Sequence, residues 1–99
     1  MPRLVFAPRA LRDLDRLTDF LLEQSPPLAP ATVPIIVGGL GVLKVHPLIG
    51  RPTEHGMREL MISRGRTGYI ALYQYEARSD VVMVLAIRHQ REAGFDEPA

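Results

Sequence analysis

The spacing of apolar residues changes twice along the chain, and each spacing predicts a different kind of element. Residues 3–7, "RLVFA", form a short β-branched and aromatic segment that predicts a strand ending at Pro8. After Pro8, apolar residues recur every three or four positions with charged residues between them, which is the pattern of an amphipathic helix. Its apolar positions are Leu11, Leu14, Leu17 and Leu21. The helix is predicted over residues 8–24, because the "SPP" that follows disfavours helical geometry.

The next segment, about residues 29–46, keeps a helical period but is rich in poor helix formers. The apolar positions are Val33, Ile36, Val37, Leu40 and Leu43, and the poor helix formers are Pro34, Gly38, Gly39 and Gly41. Each glycine costs about 1 kcal/mol relative to alanine in a helix. We predict a second helix that packs on the first and completes a helical hairpin over about residues 8–46. This helix either depends on tertiary burial or is partly irregular.

Three strand-like runs follow a loop that is marked by its proline and glycine content, "HPLIGRP" at residues 46–52. The runs cover residues 57–63, 67–75 and 81–88, and the separators "RGR" and "EARSD" have hairpin length. They predict an antiparallel sheet over about residues 57–89, followed by a C-terminal tail at 90–99. The fold class is therefore α+β with two layers: an N-terminal strand, a helical hairpin and a three-stranded antiparallel meander, in one domain over residues 1–99.

The last predicted strand is apolar on both of its faces, as expected for the centre of a sheet. One face carries Val81, Met83, Leu85 and Ile87, and the other carries Val82, Val84 and Ala86. By the same alternation, Arg88 and His89 leave the strand on opposite faces. We expect both side chains to reach water at the rim of the sheet. A helical hairpin covers one face of such a sheet and leaves the other open.

The composition excludes several kinds of site. The chain has 99 residues, no cysteine and a net charge of +1 at pH 7, so disulfides and thiolate metal sites cannot form. His46, His55 and His89 lack the paired spacing of metal ligands, and the glycines of "IIVGGLGVL" are not followed by the residues of a phosphate-binding loop. We therefore expect no metal and no cofactor. The small net charge also argues against a large electrostatic footprint on nucleic acid.

Two segments bear on the cellular location. The N-terminal sequence "MPRLVFAPRALRDLD" is unlike a secretory signal, because its apolar stretch is short and is followed by charges. The uncharged run at residues 28–43 is shorter than the roughly 18–20 residues that span a membrane. It also contains two prolines and three glycines. We expect a cytoplasmic protein that does not associate with membranes.

The order β-α-α-β-β-β, with "HPLIGRP" after the hairpin, "GYIALYQY" on the middle strand and "VLAIRHQREAGF" at the end, resembles the RelE/ParE family of type II toxin–antitoxin toxins. The likeness covers essentially the whole chain. It implies a cytoplasmic toxin, of the kind also called plasmid stabilisation proteins, that a co-encoded antitoxin wraps and neutralises. RelE-like members of this family cut mRNA in the ribosome, whereas ParE-like members poison DNA gyrase without a recognised active site.

The nuclease branch of the family has basic residues on the strand before the hairpin, an arginine after the "GY" pair and a tyrosine or histidine in the tail. This chain has Glu59 and Met61 on that strand, Ile70 after Gly68 and Tyr69, and Phe95 in the tail. RNA cleavage requires a base, an acid and cations for the phosphate. The remaining acid–base candidate is His89. The candidate target- or RNA-binding residues are Arg64, Arg66, Arg88 and Arg91; the alternative is that all are ordinary solvated or structural residues.

The replacement of arginine by Ile70 also changes the character of the open sheet face. Leu72 shares that face, and Met61 is expected across the hairpin. Because exposed apolar patches mark partner surfaces, we expect these three residues to bind the antitoxin or the target. The alternative is that the helices cover this face and that Tyr69, Tyr73 and Tyr75 line the open one.

Three functions remain compatible with the residues. The first is a ParE-like toxin that inhibits a bacterial target, DNA gyrase, by binding. The second is a ribosome-dependent mRNA endoribonuclease with an atypical site around His89 and the four arginines, for which the partners are the ribosome and mRNA. The third is a degenerate toxin that only binds its antitoxin.

Overall fold

The computed structural model describes residues 1–62 and 68–92. The strands are β1 (Arg3–Phe6), β2 (Arg51–Pro52), β3 (Arg58–Ile62), β4 (Tyr69–Glu76) and β5 (Val81–His89). The α-helices are α1 (Pro8–Gln24) and α2 (Thr32–Leu40), and short 3-10 turns cover Pro26–Ala31, Gly41–Lys44 and Glu54–Gly56. The predicted α+β order is confirmed. The strand β2 is an addition, and it lies at the end of the segment that was predicted to be a loop.

The sheet has five strands in the order β1-β5-β4-β3-β2. β1 runs parallel to β5, and the other neighbours are antiparallel. β5 is therefore an interior strand, as its apolar faces predicted. The N-terminal strand joins the β5 side of the β4–β5 hairpin, so the first and last strands of the described chain are neighbours.

The buried face of α1 is rotated relative to the predicted one. Leu14, Leu17 and Leu21 are buried as expected, but Leu11 is 52% exposed. Its place is taken by Ala10 and by a carboxylate, Asp13, both of which are buried. The prediction for Leu11 was wrong because the apolar stripe starts one residue earlier, and Asp13 lies on that stripe between Ala10 and Leu17.

The second helical segment is broken into three pieces, which confirms the irregularity expected from its glycines and prolines. Its buried side chains are Ala29, Thr32, Ile36, Leu40 and Leu43. Val33 and Val37, predicted to face the core, are exposed instead. At Gly39 the helix backbone approaches β3 so closely that an added Cβ would lie 2.5 Å from Ile62 Cγ2. A glycine at this position is therefore required by packing.

Pro26–Lys44, taken as one composite helical run, is long and apolar enough to cross a membrane by length and composition alone. It exceeds the run at residues 28–43 because it includes the flanking turns. The buried apolar residues of this run belong to the same core cluster as those of α1 and the sheet. Its contacts are those of a core segment that also leaves apolar side chains at the surface.

A β-bulge changes the faces of β5. Leu72 pairs with Ala86, but the next residue, Tyr73, pairs with Val84, so Leu85 is left over. Ile87 consequently joins Val82 and Val84 in the core under the helices. The simple alternation that grouped Ile87 with Val81 was wrong, because one extra residue reverses the phase of every later side chain.

The second half of β5 has a neighbouring strand on one side only, where β4 pairs with it. β1 pairs with β5 only as far as Val84, and the chain then turns into α1. On that side the N–H of Ile87 donates to Asp13 Oδ2 at 2.8 Å. The C=O of Ile87 accepts a hydrogen bond from Arg16 Nη2 at 3.0 Å. Two side chains of α1 thus satisfy the backbone groups that a longer β1 would have satisfied.

The substitution Asp13→Ala is expected to lower the free energy of unfolding by about 1–3 kcal/mol, because it leaves the buried N–H of Ile87 without an acceptor. Urea denaturation would measure the change. Asp15→Ala on the exposed side of the same helix is the control and should change stability by less than about 0.5 kcal/mol. Equal effects of the two substitutions would contradict the role assigned to Asp13.

Candidate functional site: the open sheet face and the rim of β5

The two faces of the sheet have different characters. The helices cover the face that carries Tyr69, Ala71 and Tyr73, all of which belong to the core. The opposite face carries Ile70 and Leu72 of β4, because neighbouring residues on a strand point to opposite sides. The alternative in which the helices cover Ile70 and the tyrosines line the open face is therefore wrong.

On the open face, side chains form rows across three strands. Met61 pairs with Ile70, and Ile70 pairs with Arg88. The next row contains Glu59, Leu72 and Ala86. Met61 is 48% exposed, whereas Ile70 is buried and Leu72 is half-buried. The structure thus brings Met61, Ile70 and Leu72 together in one apolar patch. Arg88 borders the patch on one side, and the ion pair of Glu59 with Arg51 borders it on the other.

Arg88, the cation on one border of this patch, is turned toward the start of the tail. Its Nη1 atom donates to the backbone oxygen of Glu92 at 2.9 Å and to that of His89 at 3.4 Å. These bonds hold the guanidinium at the rim, beside the patch. Arg88 therefore combines a positive charge at the edge of the open face with a structural role for the tail.

His89 lies on the other side of the sheet, under the helices. Its side chain is buried, and its ring centroid lies 5.3 Å from those of Phe20 and Tyr69. Nδ1 accepts a hydrogen bond from the backbone N–H of Arg91 at 3.1 Å. The prediction that His89 reaches water was wrong, because the bulge and the aromatic rings draw it into the core. In the neutral form of the imidazole, a bond to the Nδ1 lone pair leaves the ring proton on Nε2.

A small cavity touches the buried imidazole from the side of α1. Its volume is about 220 Å³, and its lining residues are Phe20, Leu21, Gln24, Ser25, Leu28, His89 and Arg91. Arg91 is exposed at this cavity. His89 and Arg91 therefore share one side of the sheet, while Arg88 and Ile70 share the other.

Arg64, Arg66 and Phe95 lie outside the residues that the structure describes, so their roles stay predictions. Among residues 1–62 and 68–92, no three histidine, cysteine, aspartate or glutamate side chains are grouped so as to hold a metal ion.

One group at this rim was missed from the sequence. Glu92 Oε1 accepts a hydrogen bond from the N–H of His89 at 2.8 Å. Its other carboxylate oxygen forms an ion pair with Arg16 of α1. Together with Asp13, these side chains fix the end of β5 and the point where the tail leaves. The sequence contains one indication of this contact. Asp13 and Arg16 are three residues apart, which predicts an ion pair between them next to the apolar residues of α1.

The loop that precedes β2 is also fixed by several hydrogen bonds. The hydroxyl of the buried Tyr73 accepts a hydrogen bond from the N–H of Gly50 at 2.9 Å. Arg58 Nη1 donates to the carbonyl oxygens of Leu48 and Gly50, at 2.9 and 2.8 Å. A Cβ at Gly50 would lie 2.6 Å from the Tyr73 hydroxyl, so only glycine fits.

Burial raises the pKa of Tyr73, and the hydrogen bond from Gly50 and the charge of Arg58 lower it by a smaller amount. Its pKa in the folded protein is thus above the ordinary value of about 10. The folded state holds this proton more tightly than the unfolded state. The contribution of Tyr73 to stability is therefore fully present below pH 10 and is lost as the pH rises through the folded-state pKa.

Tyr73→Phe is expected to destabilise the fold by about 1–3 kcal/mol near pH 7, because the Gly50 N–H loses its acceptor. The difference from the parent protein should shrink above pH 10, where the parent loses stability through Tyr73 and the variant does not. Denaturation curves at several pH values would test this. The pKa of Tyr75 is raised by its hydrogen bond to Asp80, but Tyr75 is present in both proteins and its effect cancels. A difference that grows with pH would contradict the assignment.

Comparison with known proteins agrees with this fold. Residues 4–94 match the family described as ParE toxin of type II toxin-antitoxin system, parDE. The chain is 36% identical over 92 residues to Toxin RelE3 of Caulobacter vibrioides, which covers 93% of this chain and 98% of that protein. The first match carries the name ParE and the second the name RelE, so both names of the family occur among the matches.

Solved structures of toxin–antitoxin systems are similar as well. A chain of the chromosomal ParDE system from P. aeruginosa is 26% identical, with 90% of this chain and 96% of that chain covered and a TM-score of 0.75. The RelBE2 complex from Mycobacterium tuberculosis gives 27% identity, coverages of 91% and 100%, and a TM-score of 0.56. The E. coli RelBE complex, at 19% identity, coverages of 93% and 100% and a TM-score of 0.63, shares the fold. The chain belongs to the RelE/ParE family of toxins of type II toxin–antitoxin systems.

Proposed function

We propose that this toxin acts by binding a bacterial protein, and that the protein is DNA gyrase. The proposal is supported chiefly by the separation of His89 from Arg88 by the sheet. A general base and a phosphate-binding cation must reach the same phosphodiester, within hydrogen-bond distance of the reacting atoms. Side chains on opposite faces of one strand cannot do so together.

The composition of the open face supports the same conclusion. Ile70 stands where the resemblance to the nuclease branch would place an arginine, and Met61 and Leu72 extend the apolar surface beside it. Transition states of RNA cleavage carry negative charge that requires cations. A patch of this kind instead gains free energy when it is covered by another apolar surface.

A ribosome-dependent endoribonuclease is the second candidate, and one observation favours it. His89 and Arg91 line the same cavity, which gives an imidazole and a guanidinium on one side of the rim. The imidazole is 1% exposed, so a substrate would have to displace packing side chains to reach it. Because of this energetic cost, the endoribonuclease is the second candidate and the binding toxin is the first. A degenerate toxin that retains only antitoxin binding is the third candidate.

The partner that neutralises the toxin is proposed to be a cognate antitoxin that covers the patch of Met61, Ile70 and Leu72. The similar structures are complexes of toxins with antitoxins, which supports a partner of this kind. In the described part of the chain, β1 lies at one edge of the sheet. This edge offers a second contact, because an extended peptide can add to an edge strand through backbone hydrogen bonds. The proposed place of action is the cytoplasm, where gyrase is found.

Induced expression without the antitoxin tests the proposed target. We expect growth arrest, a DNA damage response and accumulation of gyrase cleavage complexes. Primer extension on cellular mRNA should show no new cuts. New cuts within ribosome-bound mRNA, without cleavage complexes, would establish the nuclease instead. Normal growth would support the third candidate, a degenerate toxin that only binds its antitoxin.

His89→Asn separates a structural role of this histidine from a catalytic one. The Asn side-chain oxygen can accept the Arg91 N–H as Nδ1 does, but it cannot transfer a proton at neutral pH. We expect His89→Asn to arrest growth like the parent chain. His89→Ala, which also loses the acceptor, should be less stable by about 1–3 kcal/mol. A folded His89→Asn protein without toxicity would favour the nuclease.

Met61→Glu tests the antitoxin surface. A carboxylate in the apolar patch is expected to weaken binding of the co-encoded antitoxin by about tenfold or more, since a charge would be buried without a partner. The matched control is Leu11→Glu, because Leu11 has similar exposure, 52% against 48%, but lies on α1. Isothermal titration calorimetry would measure both affinities. Equal affinities of the two variants would show that the antitoxin binds elsewhere.

A further inference from the structure

The loop between the helical segment and β2 presents a compact apolar surface to solvent. Val45, Leu48 and Ile49 are 62%, 57% and 55% exposed. They surround a shallow cavity of about 450 Å³ together with His46 and Pro47. Single exposed apolar residues are ordinary on protein surfaces. Three within five consecutive positions form a patch, and such patches generally mark interaction sites.

The shape of this loop is fixed before any partner arrives. Arg58 bonds the carbonyls of Leu48 and Gly50, and the Tyr73 hydroxyl bonds the Gly50 N–H. Within the loop, the N–H of Ile49 donates to the His46 carbonyl at 3.2 Å. Residues that need not be ordered on binding lose less conformational entropy, so a preorganised loop binds more tightly than a flexible one.

The charge around the loop is positive. Residues 25–53 contain no aspartate or glutamate, and their two charged residues are Lys44 and Arg51. Lys44 precedes the loop and is exposed, and Arg51 follows it with a side chain that is 78% exposed. Arg51 also pairs with Glu59 at 2.6 Å. Arg51 shares the row of Glu59 and Leu72 on the open face, so Lys44 is the cation beside the loop. An apolar centre with a cation at one end is complementary to an apolar pocket with a carboxylate at its rim.

The loop lies on the opposite side of the sheet from the patch proposed for the antitoxin. Its anchors, Arg58 and Tyr73, pair with each other across β3 and β4 on the face that the helices cover. Met61 and Ile70 face the other way. A partner segment on the open face would therefore leave Val45, Leu48 and Ile49 accessible.

We propose that residues 45–49 form the surface that engages the toxin's protein target, through an apolar pocket with an acidic rim on that target. This inference rests on the proposed function as a binding toxin. It adds the location of the contact and its chemistry. It also assigns target and antitoxin to different faces of the molecule, so that one contact can be removed without the other.

The test uses the double variant Leu48→Gln/Ile49→Gln in the full chain. We expect its affinity for purified DNA gyrase to fall by about tenfold or more. Growth arrest on induction should be lost, while antitoxin affinity and melting temperature stay unchanged. The matched control is Leu11→Gln/Leu22→Gln, since these two leucines of α1 are each 52% exposed. The control should arrest growth and bind gyrase like the parent chain.

Two further variants test the charge. Lys44→Glu should weaken target binding, and Lys44→Arg should preserve it, because the proposed rim of the target pocket is acidic. If the loop double variant still arrests growth and binds gyrase like the parent, the inference is wrong. It is also wrong if a folded loop variant loses antitoxin affinity as much as target affinity, since the loop would then belong to the antitoxin surface.

The same variants separate a failure of this inference from a failure of the proposed target. If the parent chain arrests growth but does not bind gyrase, the choice of gyrase is wrong, and growth arrest becomes the readout for the loop. A loop variant that then fails to arrest growth, yet binds the antitoxin, supports the inference. A loop variant that arrests growth overturns it.

Discussion

The fold of this toxin depends on the groups that form hydrogen bonds with the second half of β5, on the side where β1 has ended. β1 is four residues long, so after Val84 one side of β5 has no neighbouring strand. Asp13 and Arg16 of α1 take the place of that strand at Ile87. Because buried backbone groups need partners, this contact fixes α1 against the sheet at one position and in one orientation. Glu92 continues the contact by joining Arg16 to the N–H of His89.

The position of the candidate site follows from this constraint. Once Ile87 faces α1, the bulge at Leu85 sends His89 into the core and Arg88 to the open face. The imidazole packs between Phe20 and Tyr69, whereas the guanidinium stays at the rim beside Ile70. The sheet thus separates the acid–base candidate His89 from Arg88, whereas Arg91 lies on the same side as His89. What remains on the open face is an apolar patch, and what remains beyond the helices is the rigid loop at residues 45–49.

Much of the fold could be predicted from the sequence, because its signals are local. Helix α1 was predicted with its observed bounds by the apolar period and by Pro8 and "SPP". The three later strands were predicted to within two residues at each end, except where their ends fall beyond the described residues. The shared face of Met61, Ile70 and Leu72 followed from alternation and hairpin pairing. The RelE/ParE resemblance likewise followed from the order of these elements.

The errors have a common physical origin in non-local contacts. β2 is two residues long, and it exists because it pairs with β3. The burial of Asp13 depends on a backbone group 74 residues later, which no helical period can reveal. The faces of Ile87 and His89 depend on a bulge that is visible only in the pairing of β4 with β5. Each of these decides where a polar or titratable group lies, so the site was predicted less well than the fold.

Native-state hydrogen exchange of individual backbone amides tests the central contact most directly. If Asp13 and Arg16 complete the sheet, the Ile87 amide should exchange as slowly as that of Ala71, which lies on an interior strand. In the Asp13→Ala protein, the Ile87 amide should exchange faster while the Ala71 amide follows only the change in global stability. An Ile87 amide that exchanges in the parent chain as fast as that of Ser79, in the exposed turn between β4 and β5, would contradict the account.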